Sequence, residues 1–152
     1  MSDPSLDELQ ATLEREIPMC GQMGIRVHGC RAEGLQMTLP LSPNRNHQQT
    51  AFAGSLNALC TITGWGSVYT LIRGEGLPGD VVIRRSTIKY SRPVQSEPIV
   101  ARCQPIDASA RAHFLEMLRE KGQAKIDLQV EIREADETAV EFHGSYVVLG
   151  EG

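Results

Sequence analysis

Asn46-His47-Gln48-Gln49-Thr50-Ala51-Phe52-Ala53-Gly54-Ser55 carries the chain from a polar, turn-prone loop into an unusually apolar segment, Leu56 to Ile72. A helix that begins here leaves the N–H groups of its first turn without intrahelical acceptors, aimed at whatever lies in front. Ala53, Gly54 and Ser55 keep bulky side chains out of that approach. Such a terminus can polarise a carbonyl oxygen or hold an anion. It can equally be a helix start whose small residues pack against a neighbour. Asn57 and Thr61 stand four apart and share a helix face, where they either line a site or pair with backbone. Arg84, Arg85, Lys89 and Arg92 make the exposed positions of a β-rich segment basic in a protein of net charge −4, and Lys121 and Lys125 flank a glycine turn. Arginine and lysine pair well with phosphate, and they also make ordinary solvated faces.

Other chemistries find less support. His47 is a lone loop histidine, suited to proton transfer by its pKa alone. The G-x-S-x-G elbow of serine hydrolases is absent, and no His and Asp arrangement emerges from spacing. Cys20, Cys30, Cys60 and Cys103 are far apart, without C-x-x-C spacing. They read as reduced thiols of a cytoplasmic protein, with Cys60 packed in the apolar helix and no metal site. No cofactor is expected. The chain of 152 residues is 41% hydrophobic and 22% charged, enough for a sizeable core. That balance gives no sign of a nucleic-acid or membrane surface. No apolar run has the length of a membrane span, and the acidic start, Met1 to Glu8, is not a signal peptide.

The elements that must position these residues follow from periodicity. Leu6, Leu9, Leu13 and Ile17 predict a helix over Ser5–Ile17, with Ser5 as N-cap and Pro18 ending or bending it. Gly24–His28 is a short strand, and strict alternation through Leu35, Met37, Leu39 and Leu41 predicts a strand over Gly34–Leu41. Pro40 favours an edge or a strand exit. After a loop over Ser42–Gln49, the long helix spans about Gly54–Arg73. Its apolar positions nearly encircle it, so other elements should wrap it, and Thr61, Thr63, Gly64 and Gly66 suit close packing. Gly74–Gly79 is a connector, Asp80–Ser91 and Pro98–Pro105 are strands, and Ser109–Lys121 is a helical insert stopped by Gly122. Ala124–Glu134 and Thr138–Leu149 are strands about a tight turn at Asp136-Glu137, with Gly144 marking a bulge. The class is α+β: one long helix wrapped by an antiparallel sheet. Residues 1–23 form an N-terminal helical segment and residues 24–152 a single domain.

This order, with the loop-to-helix motif at its centre, resembles the hotdog fold, in which a curved sheet wraps a long central helix. Asn46-x-x-x-Thr50-x-Phe52-Ala53-Gly54 is similar to the Asn-x-x-x-Thr/Gly-x-His-Gly-Gly motif of the acyl-CoA thioesterases of that superfamily. Tyr90-Ser91-Arg92-Pro93 resembles their Tyr-x-x-Pro strand end, and Lys121-Gly122-x-x-Lys125 the start of their fifth strand. Thr50 to Leu56, with Gly64-Trp65 in the helix and the insert before Gly122, is most similar to the thioesterase-like domain attached to some bacterial GNAT acetyltransferases or standing alone, the YiiD C-terminal type.

The resemblance implies a role for each matched position. The Ala53 amide, at the first Gly of the motif, would bind the thioester carbonyl oxygen, with Gly54 beside it. Asn46 would orient water or substrate; its other reading is an Asx turn that stabilises the loop. Phe52 replaces the family's His. The helix carboxylate, seven residues after Gly54, is replaced by Thr61, which cannot serve as a general base near neutral pH. Water would then be held by Asn46 and Thr61 and activated from elsewhere, His47 or Asp80, or the oxyanion donors would suffice. Phe52 and Asn57 would meet the acyl group, and Arg84, Arg85, Lys89, Lys121 and Lys125 the phosphates of the carrier. The implied function is hydrolysis of an acyl-CoA or acyl-carrier thioester by a homodimer or tetramer. A non-catalytic module that binds acyl-CoA or acyl carrier is the alternative.

Overall fold

The computed structural model describes residues 4–31 and 34–150. The elements are α1 (Pro4–Glu16), α2 (Pro18–Met23), β1 (Arg26–Arg31), β2 (Gly34–Leu39), a 3-10 turn (Ser42–Asn44), α3 (Ala53–Gly74), β3 (Asp80–Tyr90), β4 (Ile99–Cys103), α4 (Ala108–Lys121), β5 (Gln123–Glu134) and β6 (Glu137–Leu149). The strands form one antiparallel sheet in the order β1-β2-β4-β5-β6-β3. Helix α3 packs on one face of it and contacts every strand from β2 to β6. This is the α+β arrangement of helix and sheet that the sequence predicts.

Local chemistry explains where the elements differ from expectation. Pro18 does not simply end the first helix; it opens a second, because proline suits the first helical position, where its missing N–H leaves nothing unpaired. Gly24 closes α2 in the left-handed region, φ 84°, and returns its N–H to Cys20 O and Gly21 O. The first strand therefore starts at Arg26 rather than Gly24. Ser5 lies inside α1 and not at its cap. The β5–β6 turn is centred on Ala135 and Asp136, φ 51° and 62°, two positive values as a twisted two-residue hairpin requires. Gly144 makes no bulge. It pairs in register with Ser86 on one side and Leu128 on the other. A Cβ there would come within 2.8 Å of the Phe142 and Tyr146 rings, so glycine leaves room for two aromatics on the inner face. The bulge of this region lies instead in β3, between Ile83 and Arg85.

Close packing holds α3 against the sheet. A Cβ on Gly64 would lie 2.2 Å from the Tyr146 hydroxyl, which donates to Thr61 O at 2.7 Å. On the opposite side Leu9 and Leu13 of α1 are fully buried in the same core as Leu59, Val68 and Ile72 of α3. The buried hydroxyls of Thr63 and Ser67 donate to carbonyls one turn back, Leu59 O and Thr63 O, so the helix carries polar residues into the core without orphaned groups. Trp65 Nε1 donates to Val81 O at 2.8 Å, and Tyr90 Oη donates to Ala53 O at 3.2 Å. The two bonds lay α3 along the length of β3, with the helix start at the far end of the strand.

Candidate functional site

The loop before α3 is built by Asn46. Its Oδ1 accepts from the N–H groups of Gln48 and Thr50, and its Nδ2 donates to Thr50 Oγ1 at 2.7 Å and towards Ala51 O at 3.4 Å. The side chain's donors and acceptor are thus engaged inside the loop, the Asx-turn arrangement. Asn44, buried, does a second job: Nδ2 bridges Met23 O and Pro40 O, and its own carbonyl accepts from Phe52 N–H. This one residue ties the end of α2, the exit of β2 and the approach to α3 together.

Helix α3 then begins without a side-chain cap. Its N-cap, Phe52, accepts from the N–H groups of Ser55 and Leu56. Among the described residues the amides of Ala53 and Gly54 have no acceptor, and both residues are exposed. The Phe52 ring lies over Gly54, where a Cβ would approach it to 2.5 Å, so a side chain at position 54 would push this exposed ring aside.

Two openings meet at this turn. One is a cleft of about 340 Å³ lined by Asn46, Thr50, Ala53, Tyr90, Ser91 and Arg92 among others. Arg92 is ion-paired with Glu137. Burial and the neighbouring Cys60 raise the Tyr90 pKa, so its hydroxyl stays protonated and donating. The other is a groove of about 320 Å³ between α2 and the first three turns of α3, lined by Gly54, Asn57, Thr61 and Ile62 on one wall and by Met19, Cys20 and Met23 on the other. Here Thr61 Oγ1 donates to Asn57 Oδ1 at 3.3 Å. Neither opening is lined by a carboxylate. His47 stands exposed in the loop and Asp80 at the start of β3.

The structure therefore brings Asn46 and Ala53 to one opening and Gly54, Asn57 and Thr61 to the other. Of the basic residues, Arg92 lines the first opening; the others lie elsewhere. Arg84 and Lys125 rim a groove of about 640 Å³ with Val82, Phe114 and Leu149, on the sheet face turned away from α3. Arg85 lines a polar hollow beside Asp127, His143 and Ser145. Lys89 faces Glu141 across the strands, and Lys121 is exposed at the end of α4. Arg84 is six residues from Tyr90, roughly 20 Å along the strand. Sequence reasoning named Arg92 only within the basic cluster, and did not assign Tyr90, Met19, Cys20 or Met23 to the site. The available signal for the last three was the apolar run from Ile17 to Ile25 around Pro18, too apolar for a plain linker. Among the described residues no cluster of three His, Cys, Asp or Glu could hold a metal ion.

Residues 6–150 match the family model described as "Putative thioesterase (yiiD_Cterm)". Among solved structures, a "putative thioesterase" from Shewanella oneidensis is 28% identical, with a TM-score of 0.88, covering 97% of this chain and 99% of that one. A protein of unknown function from Chlorobaculum tepidum is 29% identical, with a TM-score of 0.90, covering 98% and 100%. A thioesterase from Haemophilus influenzae shares the fold at 16% identity, with a TM-score of 0.72 over 98% of this chain and 93% of that one.

Proposed function

The chain belongs to the YiiD C-terminal family of thioesterases, and from that premise we propose that it hydrolyses acyl-CoA thioesters to a free acid and a thiol. The supporting observation is the pair of exposed amides at Ala53 and Gly54, without acceptors among the described residues, where two openings meet. A thioester laid across this turn would present its carbonyl oxygen to those N–H groups. The positive end of the helix favours the oxyanion that forms as water adds to the acyl carbon. Collapse re-forms the carbonyl and breaks the C–S bond, and the departing thiolate takes up the proton lost by the water. A thiol pKa of about 8.5 makes this leaving group stable near neutral pH, so placing the oxyanion and the water is the main task. Thr61 and Asn57 would hold the water or the carbonyl, Asn46 would hold the loop, and Phe52 would cover the reacting group. Arg84, Arg85, Lys89, Lys121 and Lys125, which lie away from both openings of their own protomer, would meet the phosphates of a carrier bound at a partner's site.

A homodimer fits this reading. Strand β3 ends the sheet with an open edge of 11 residues, an invitation to pair with a second copy. An antiparallel β3–β3 pair centred on the middle of the strand would lay the start of the partner's strand, with its Asp80, beside Tyr90 and the start of α3. The carboxylate absent from the openings of one protomer would then come from the other. A cytoplasmic setting fits the free cysteines.

The test is free-thiol release from a panel of acyl-CoAs, acetyl to palmitoyl and aromatic, by wild type and Ala53→Pro. Proline fits the first helical position, and Phe52 already has the extended backbone, φ −65° and ψ 131°, that a following proline requires. The substitution deletes the N–H and keeps the helix, so kcat should fall by about 10²–10³-fold. Unchanged turnover in the folded variant would remove Ala53 from the mechanism. The lack of an acid at either opening favours one second reading, a module that binds acyl-CoA without turnover. CoA affinity with no thiol release, and none lost in Asp80→Asn, would support it.

A further inference from the structure

The two openings that meet at the first turn of α3 differ in chemistry. Ala53 lines the cleft that holds Tyr90 and Arg92, whereas its neighbour Gly54 lines the groove whose far wall is Met19, Cys20 and Met23. A thioester whose carbonyl sits at those amides must send its two arms in different directions, one apolar and one polar.

We infer that the groove between α2 and α3 is the acyl-binding site, with Met19, Met23 and Ile62 selecting a flexible aliphatic acyl group, and that the thiol carrier leaves through the Tyr90–Arg92 cleft. The inference rests on the thioesterase reading for its carbonyl position. Three further observations support it. The groove carries its polar atoms, the Thr61–Asn57 pair, only on the α3 wall, while the α2 wall is apolar throughout. Met19 is 62% exposed, an unpartnered apolar side chain at the mouth of the groove, and methionine's flexible thioether adapts to varied apolar ligands. The α2 wall is also fixed in place: Gly24 closes the helix, a Cβ there would strike Pro40 at 2.7 Å, and Asn44 Nδ2 holds Met23 O. The groove volume of about 320 Å³ lies at the small end of ligand pockets, which suits a short to medium chain. The larger groove on the outer sheet face is apolar too, but the sheet separates it from the helix start, so one protomer cannot place both the carbonyl at Ala53 and the chain there.

The experiment measures equilibrium binding of non-hydrolysable acyl-CoA thioether analogues, alkyl chains from two carbons upward, alongside thiol release. Wild type, Met23→Trp, Met19→Lys and Leu149→Lys are compared. Met19 is a surface residue, so its variant keeps the fold even if filling the groove at Met23 does not. In Met23→Trp and Met19→Lys the affinity ratio of medium-chain to two-carbon analogue should fall about tenfold or more, with Leu149→Lys following wild type. Chain-length dependence unaltered by either groove variant, or altered by Leu149→Lys instead, overturns the inference. If wild type binds with chain-length dependence but releases no thiol, the hydrolase reading fails while the acyl site stands. If affinity does not depend on chain length, the acyl site falls whatever the turnover.

Discussion

In the proposed mechanism the chemistry asked of Ala53 belongs to its backbone, so alanine can stand where the resembled motif has glycine. Thr61 is the opposite case, since a threonine cannot supply what a carboxylate would. The helix start that positions them was legible in the sequence, because the change from polar loop to apolar run marks it within a residue. Asn46 kept two readings there because an Asx turn and a water-holding amide use the same atoms; in the structure those atoms are engaged inside the loop. Cys60 yields a prediction of its own. Burial pushes its thiol from 9.0 up to about 12, so the unfolded chain loses this proton three units before the folded one does. The stability it contributes is fully present below about pH 9 and declines up to about pH 12, by ~1.4 kcal/mol per unit for one such group. Buried Tyr146 and Cys103 are also raised and add in the same direction. Urea unfolding between pH 8 and about 11 should show the decline, and Cys60→Ala should make it shallower. An identical slope in the variant would mean that Cys60 ionises as easily folded as unfolded.

Elements were legible where one periodicity ran uninterrupted, as in α3, β5 and β6. They were less so where a single proline or turn residue decides between two local outcomes. Pro18 reads as a stop until the apolar residues after it are seen to have a wall to build, and that wall exists only in three dimensions. The glycines of α3 separate packing from propensity. Gly64→Ala would set a Cβ 2.2 Å from the Tyr146 hydroxyl, forcing the ring or the helix to move and endangering the bond to Thr61 O. It should cost about 1–3 kcal/mol by overpacking, and it should lower turnover through the displaced Thr61. Gly74→Ala, in open space in the last turn of the same helix, should instead be neutral or stabilise by up to about 1 kcal/mol. Chemical denaturation of the two variants measures both. Equal effects would mean that propensity, and not Tyr146, sets the cost.

For the whole molecule, the open edge of β3 is the feature with most to decide. Ser91 N–H donates to Ala139 O. By the alternation of an antiparallel ladder, Arg85, Thr87 and Lys89 then bond β6, while Ser86, Ile88 and Tyr90 turn their N–H groups to the free edge. Ser86→Pro therefore removes one edge donor and leaves the ladder to β6 intact. Sedimentation velocity should show a wild-type dimer that this substitution weakens, with thiol release falling in parallel as the partner's strand is lost. A monomeric wild type, or a variant dimer as tight as wild type, would count against pairing through β3. No helix among the described residues is long and apolar enough to cross a membrane.

The meeting of two openings at a single helical turn has a kinetic consequence. If acid and thiol depart by the separate doors inferred above, neither product would block the other's exit. Release would follow no fixed order, a complex holding both products could form, and each product would slow the enzyme without excluding its companion. An enzyme of this shape would register the acid and the thiol as two independent signals of how far its reaction has gone.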